Sequence, residues 1–236
     1  MSNPTKNPQW AAVDKYATSH THPASRPNTK ALQDAHDQSL AAGLPDIAAS
    51  PPQAKFLALW CRILGVTHAL ELGTLGGYTA IWLASENPQL HVTTVELDPH
   101  HVAVARRNIE AAGLTGRIEV IEGEGLAVVR RLREEVLRGE RERFGFSFID
   151  ADKENNWNYF DLAVDMSTPK AAVCVDNVVR GGRVADEANT DPRIQGTREV
   201  IEKAGKDPRV DSVVIQTVGE KGYDGWLWAV LKEKRE

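Results

Sequence analysis

Cysteine is scarce in this chain of 236 residues: Cys61 and Cys174 are the two present, far apart and in apolar surroundings. That scarcity excludes a disulfide framework and a cysteine-based zinc site, and it fits a reducing, cytoplasmic setting. Positive charge is not in excess either. The 28 Lys and Arg against 33 Asp and Glu leave a formal charge of -5, which argues against a nucleic-acid partner because phosphate neutralisation needs a basic face. No run approaches the roughly 20 apolar residues of a membrane span. The opening stretch MSNPTKNPQW is polar, so no signal-like leader or membrane partner is expected. Internal repeats and low-complexity tracts are missing as well.

What is present is an apolar fraction of 42%, enough for the core of one α/β domain, expected to occupy residues 1–236. Residues 1–28 hold four prolines and read as a loosely packed arm with one short helix around Trp10 to Thr18. Residues 29–66 hold two helical patterns, TKALQDAHDQSLAAG (29–43) and QAKFLALWCRIL (53–64), the first ending on a glycine. From residue 67 to 236 the short apolar runs HALEL, HVTTVEL, RIEVIEG, FSFID and AAVCVD alternate with gaps that hold helices, the pattern of parallel βαβ units. RVDSVVIQTV and GWLWAVLKE, on either side of GEKGYD, read as a hairpin. A mostly parallel sheet with an antiparallel edge follows. The run RRLREEVLRGERER mixes both signs and reads as the solvated face of a helix.

Ligands of open α/β sheets bind beyond the carboxyl ends of the strands, and here those ends are polar: ELGTLGGYT, VELDP, IEGEG, IDADK and VDN. The glycines after the first strand permit a tight turn and a helix N-terminus open to a ligand. Their spacing is GxxGG rather than the dinucleotide GxGxxG. Glu96, at the end of the second strand, is placed to accept ribose hydroxyls. Glu71, just before the glycines, would repel a pyrophosphate but suits a sulfonium and an ammonium, so S-adenosylmethionine fits better than a nicotinamide dinucleotide. Asp150, Asp176 and Asn177 bring three oxygen ligands from adjacent strand tips, a hard set suited to Mg²⁺, Mn²⁺ or Ca²⁺. The blander alternative is that Asp150 or Asp152 caps a helix starting near Glu154.

Over about residues 45–234 the motifs ALELGTLGGYTAIWLA, VELDP, IDADKENNWNYF, DNVVRGGRV and DGW together resemble the cation-dependent class I O-methyltransferases, the group of caffeoyl-CoA and, more distantly, catechol O-methyltransferase. The resemblance implies a Rossmann-like seven-stranded sheet with helices on both faces, S-adenosylmethionine as methyl donor, a small hydroxylated aromatic acceptor and a homodimer. It places donor contacts on Ala49, Glu71, Gly73, Thr74, Thr79, Glu96, Gly125 and Asp152, metal ligands on Asp150, Asp176 and Asn177, and a general base on Lys153. Three positions depart from the family pattern: Asn156 and Arg180 where aromatics are usual, and the substrate-side Gly181. Arg180 and Gly181 are candidate substrate contacts, with Tyr223, Trp226 and the arm as further wall. Two rival readings remain, a metal-dependent hydrolase using the same carboxylates and a non-catalytic nucleotide-binding or assembly protein. The first would not require the glycine turn with Glu96.

Overall fold

The computed structural model describes residues 7–233. Among these, seven strands form one sheet: β1 (His68–Leu72), β2 (His91–Glu96), β3 (Ile118–Glu122), β4 (Phe144–Ile149), β5 (Ser167–Val175), β6 (Val210–Gly219) and β7 (Gly222–Leu231), in the order β3-β2-β1-β4-β5-β7-β6. The first five run parallel, and β7 pairs antiparallel with β5 and β6. The Rossmann-like sheet expected from the sequence is the sheet found. Its order reverses between β1 and β4, which opens a crevice beyond their carboxyl ends.

Helices cover both faces because the inner strands are apolar on both. In β5, Ala172 and Cys174 face one core while Val173 and Val175 face the other. The first core is closed by α2 (Thr29–Ala41), α3 (Pro51–Ile63), α4 (Tyr78–Glu86) and α5 (Pro99–Ala111), which bury Leu32, Leu57, Trp82 and Ile109 there. The second is closed by α6 (Gly125–Leu137), α7 (Asn156–Met166) and α8 (Pro192–Ala204) through Leu132, Phe160 and Val200. Both cysteines are buried and free. Helix starts follow local chemistry. Asp98 and Asp191, each followed by a proline, accept the backbone N–H of His100 and of Arg193 at 2.8 and 3.0 Å to begin α5 and α8.

Two local expectations are corrected. The arm is better anchored than its prolines suggest: α1 spans Pro8–Thr21, and although none of its residues is buried, the segment after it is held by His22 against Trp82 and by Arg26 and Asn28 on Glu86. Residues 1–6 of the arm and 234–236 of the core lie outside the described residues. The hairpin is also tighter than GEKGYD implies, because pairing runs to Gly219 and Gly222 and leaves Glu220 and Lys221 as the turn. No helix among the described residues is long and apolar enough to cross a membrane.

Candidate functional site

The carboxyl ends of β1, β2, β4 and β5 open into one cleft of about 1300 Å³. That exceeds the roughly 300 to 1,000 Å³ of a common small-molecule pocket and leaves room for two reactants. Ala49, Gly73, Thr74, Thr79, Glu96, Gly125 and Asp152 line one part of it, and Asp150, Lys153, Asp176, Asn177, Arg180 and Gly181 another. Glu71 does not line it; at 1% exposure it lies beneath the floor.

In the first part, Gly73 has φ of 95°, and a Cβ there would sit 2.2 Å from the carbonyl oxygen of Asp150. This glycine serves the close approach of the β1 and β4 ends, which brings the two parts together. Glu96 Oε2 accepts from Leu75 N at 2.8 Å, and its Oε1 from Leu97 N and Asp98 N at 2.9 and 3.0 Å. A carboxylate has about four acceptor positions, so Glu96 ties the glycine loop to β2 and keeps about one for a ligand, fewer than two ribose hydroxyls would ask of it. Below it, Thr74 and Thr94 are hydrogen-bonded at 2.6 Å, and Thr94 donates to Glu71 Oε2 at 2.5 Å. Burial pushes the Glu71 carboxyl up to about 8, with Asp150 and Glu96 adding to the shift and the Thr94 hydroxyl opposing it. Helix α4 begins after Gly77, φ 81°, with no side chain capping its N–H groups, so its first turn, with Thr79, is open to an anion.

Asp152 accepts from Tyr159 Oη and from Asn155 Nδ2, both at 2.5 Å. Tyr159 fits there because Gly125 lacks a side chain: a Cβ on Gly125 would lie 2.4 Å from the phenolic oxygen. Neither Asp150 nor Asp152 caps the following helix. Asp152 precedes a single 3₁₀ turn (Lys153–Asn155) without a side-chain capping bond.

In the second part, Ile149 and Val175 are register partners, so Asp150 and Asp176 leave adjacent strands side by side. Lys153, 8% exposed, donates from Nζ to Asp150 Oδ1 at 2.6 Å. Burial, and then the neighbouring Asp150, raise the Asp176 carboxyl to about 7, with Lys153 offsetting part of the effect. Asn177 follows in the left-handed region, φ 59°. No three His, Cys, Asp or Glu side chains converge among the described residues; this set is two carboxylates and an amide. Crowded carboxylates offset by one ammonium suit a hard divalent cation, and the donor atoms are of the right type.

Two residues at the site were not singled out from the sequence. Asp224 Oδ1 accepts from the backbone N–H of Val179, Arg180 and Gly225, at 3.0, 2.8 and 2.9 Å, and so fixes the loop after β5. Tyr159 holds Asp152. A carboxylate inside an apolar strand was the available signal for Asp224; nothing local marked Tyr159. The departure at Asn156 lies away from the cleft, fully buried, with its amide unpartnered among the described residues. Tyr223 and Trp226 line the cleft, and from the arm Asp14 does so.

Comparison with known proteins adds independent findings. Residues 22–222 match the family model described as O-methyltransferase. The chain is 51% identical over 229 residues to O-methyltransferase imqG of Aspergillus flavus, covering 96% of this chain and 93% of that protein. It is 40% identical over 203 residues to a catechol O-methyltransferase of Niastella koreensis, covering 86% and 90%. Among solved structures, the O-methyltransferase from Bacillus cereus in complex with SAH superposes with a TM-score of 0.88 at 42% identity, covering 95% of this chain and 99% of that one.

Proposed function

The chain belongs to the O-methyltransferase family and is an S-adenosylmethionine-dependent enzyme, and from that premise we propose that it methylates one hydroxyl of a catechol-type acceptor with the help of a divalent cation. The observation that carries the proposal is the pair Asp150 and Asp176, crowded at adjacent strand tips with Lys153 as the offsetting ammonium. Asp150, Asp176 and Asn177 would hold the cation, Mg²⁺ before Mn²⁺ or Ca²⁺. Bound there, it supplies Lewis acidity to a phenolic oxygen whose pKa is otherwise about 10.

The rest falls to the chain's own residues. Ala49, Gly73, Thr74, Thr79, Glu96, Gly125 and Asp152 would seat the donor, with Asp152 held by Tyr159 and the open start of α4 facing the donor carboxylate. Glu71 would act from beneath, as the carboxylate nearest the donor's positive charge. Lys153, held beside Asp150, would be the general base toward which the phenolic proton moves. The oxygen lone pair then forms the new O–CH₃ bond as the S–CH₃ bond breaks, and the sulfonium leaves as the neutral thioether. Holding both partners in line supplies much of the acceleration. One domain spanning the chain would carry this activity as a homodimer, in a cytoplasmic setting that suits its free buried cysteines.

The test is turnover with matched acceptors. Excess chelator should abolish methyl transfer and Mg²⁺ should restore it. A vicinal diol should exceed the corresponding monophenol by on the order of a hundredfold in kcat/KM, because two adjacent oxygens fix the ring and one leaves it free to rotate. Full activity in chelator, or equal rates for both acceptors, would remove the cation from the mechanism.

A further inference from the structure

Two arginines lining the cleft, Arg180 and Arg183, have no ion-pair partner among the described residues, and of the two only Arg180 is half-buried. Lys153 donates to Asp150 and Lys221 to Asp46, each at 2.6 Å, while Arg193 Nη2 meets Asp191 at 2.7 Å. Arg183 is exposed and turns its Nε back to the carbonyl of Arg180 at 3.0 Å. His101 lies 3.7 Å from Glu96. Arg180 differs from all of these. It is half-buried, its side chain makes no ion pair or hydrogen bond among the described residues, and its Nε is enclosed without a partner.

The backbone beneath it is built to present it. Arg180 has φ of 55°, and Gly181 and Gly182 follow at 65° and 85°. A side chain with a Cβ is disfavoured in that region, and the bonds from Val179 N and Arg180 N to Asp224 hold the loop there. The loop leaves β5 directly after Asp176 and Asn177, so the guanidinium belongs to the acceptor half of the cleft.

Resting on the acceptor-site reading above, we propose that Arg180 determines acceptor specificity by receiving a carboxylate carried on the acceptor. A guanidinium is never neutral at working pH, and its planar fork matches a carboxylate in two parallel hydrogen bonds. A neutral acceptor would leave that charge partly desolvated and unpaired. The acid group must enter on the Arg180 side, since Asp150 and Asp176 repel it from their own, and this sets the ring's orientation.

The experiment pairs 3,4-dihydroxybenzoate with 3,4-dihydroxybenzamide, which has similar shape without the charge. Affinities are measured by calorimetry on the full chain with SAH, with and without Mg²⁺, and turnover is measured separately. Wild-type protein should bind the acid about tenfold or more tighter than the amide, the scale of a charge-assisted hydrogen bond. Arg180→Asn, a side chain that tolerates left-handed backbone, should collapse that ratio, while Arg180→Lys should retain part of it; thermal unfolding checks that each variant is folded. Equal affinities in the wild type, or a ratio that survives Arg180→Asn, overturns the proposal. So does an Arg180→Asn effect confined to SAH affinity, which would give the guanidinium to the donor. A protein that selects the acid through Arg180 yet methylates neither compound leaves this inference standing and sinks the catechol reading.

Discussion

Glu71 carries a proton in the folded protein over a pH range where the unfolded chain would not. Its carboxyl is raised from 4.5 to about 8, chiefly by burial. A raised acid contributes stability that is complete below the unfolded value and is lost as pH rises through the folded one. Without donor, stability should therefore fall from about pH 4.5 to about pH 8 and level off above that, and Glu71→Gln should flatten that slope. On the proposed seating, the ammonium that SAH retains would lie above Gly73 and Thr74 and favour the carboxylate, so SAH binding near neutral pH should release up to about one proton and tighten toward pH 8. Calorimetry in buffers of different ionisation enthalpy reads that release directly; pH-independent binding without proton release would separate Glu71 from the donor. At this scale the sequence was uneven. Asp150, Asp176 and Asn177 were legible because each stands where an apolar strand ends. Asp224 and Tyr159 were not, since what they do depends on partners the fold delivers: Arg180 lies 44 positions from Asp224, and Tyr159 becomes meaningful through the space left by Gly125.

Among the elements, the segment between α1 and α2 is tied to the C-terminal end of α4 by one carboxylate. Glu86, whose side chain is 3% exposed, receives Arg26 through both oxygens at 2.8 and 2.7 Å, Asn28 at 2.9 Å, and Arg62 from α3 at 2.9 Å. Burial alone would raise its carboxyl, but these bonds outweigh it and the net direction is down. Such a group stabilises above its unfolded pKa, and the contribution is lost as pH falls through the folded one. Glu86→Gln should cost about 1 to 3 kcal/mol at neutral pH and little in acid, the scale of hydrogen bonds to a charged group. Hydrogen exchange should rise across residues 22–28 in that variant. Unchanged exchange there would mean that α1 and His22 hold the arm without Glu86. Elements with a periodic apolar face, such as α2, α3 and the inner strands, could be read from sequence to within a few residues. Helix α1 was read as shorter and looser because it buries nothing and leaves no periodicity to see. Strands β6 and β7 ran longer than expected because pairing carried Gly219 and Gly222 into the ladder despite their low strand preference.

For the whole molecule, what matters is the face that the fold leaves uncovered. Phe56, Leu59 and Ile63 on α3 are 39%, 37% and 72% exposed, and Val213 and Ile215 on the edge strand β6 are 54% and 45% exposed. Phe56 packs on Trp226 and Trp228 of β7, whose register partners on β6 are Ile215 and Val213. The exposed residues therefore belong to one apolar surface beside an open sheet edge, and both features favour a second copy over solvent. The homodimer proposed above should form on this face and sediment near twice the 25.9 kDa of the chain. Ile63→Glu should shift it to monomer, because a desolvated, unpaired carboxylate at such an interface costs several kcal/mol. Ile215 also lines the cleft, so docking there would reach the rim of the site. Specific activity should then fall on dilution in step with the dimer fraction, and in Ile63→Glu it should already be low and independent of concentration. A wild-type protein that sediments as a monomer at micromolar concentration, with constant specific activity, would leave this face to a different partner.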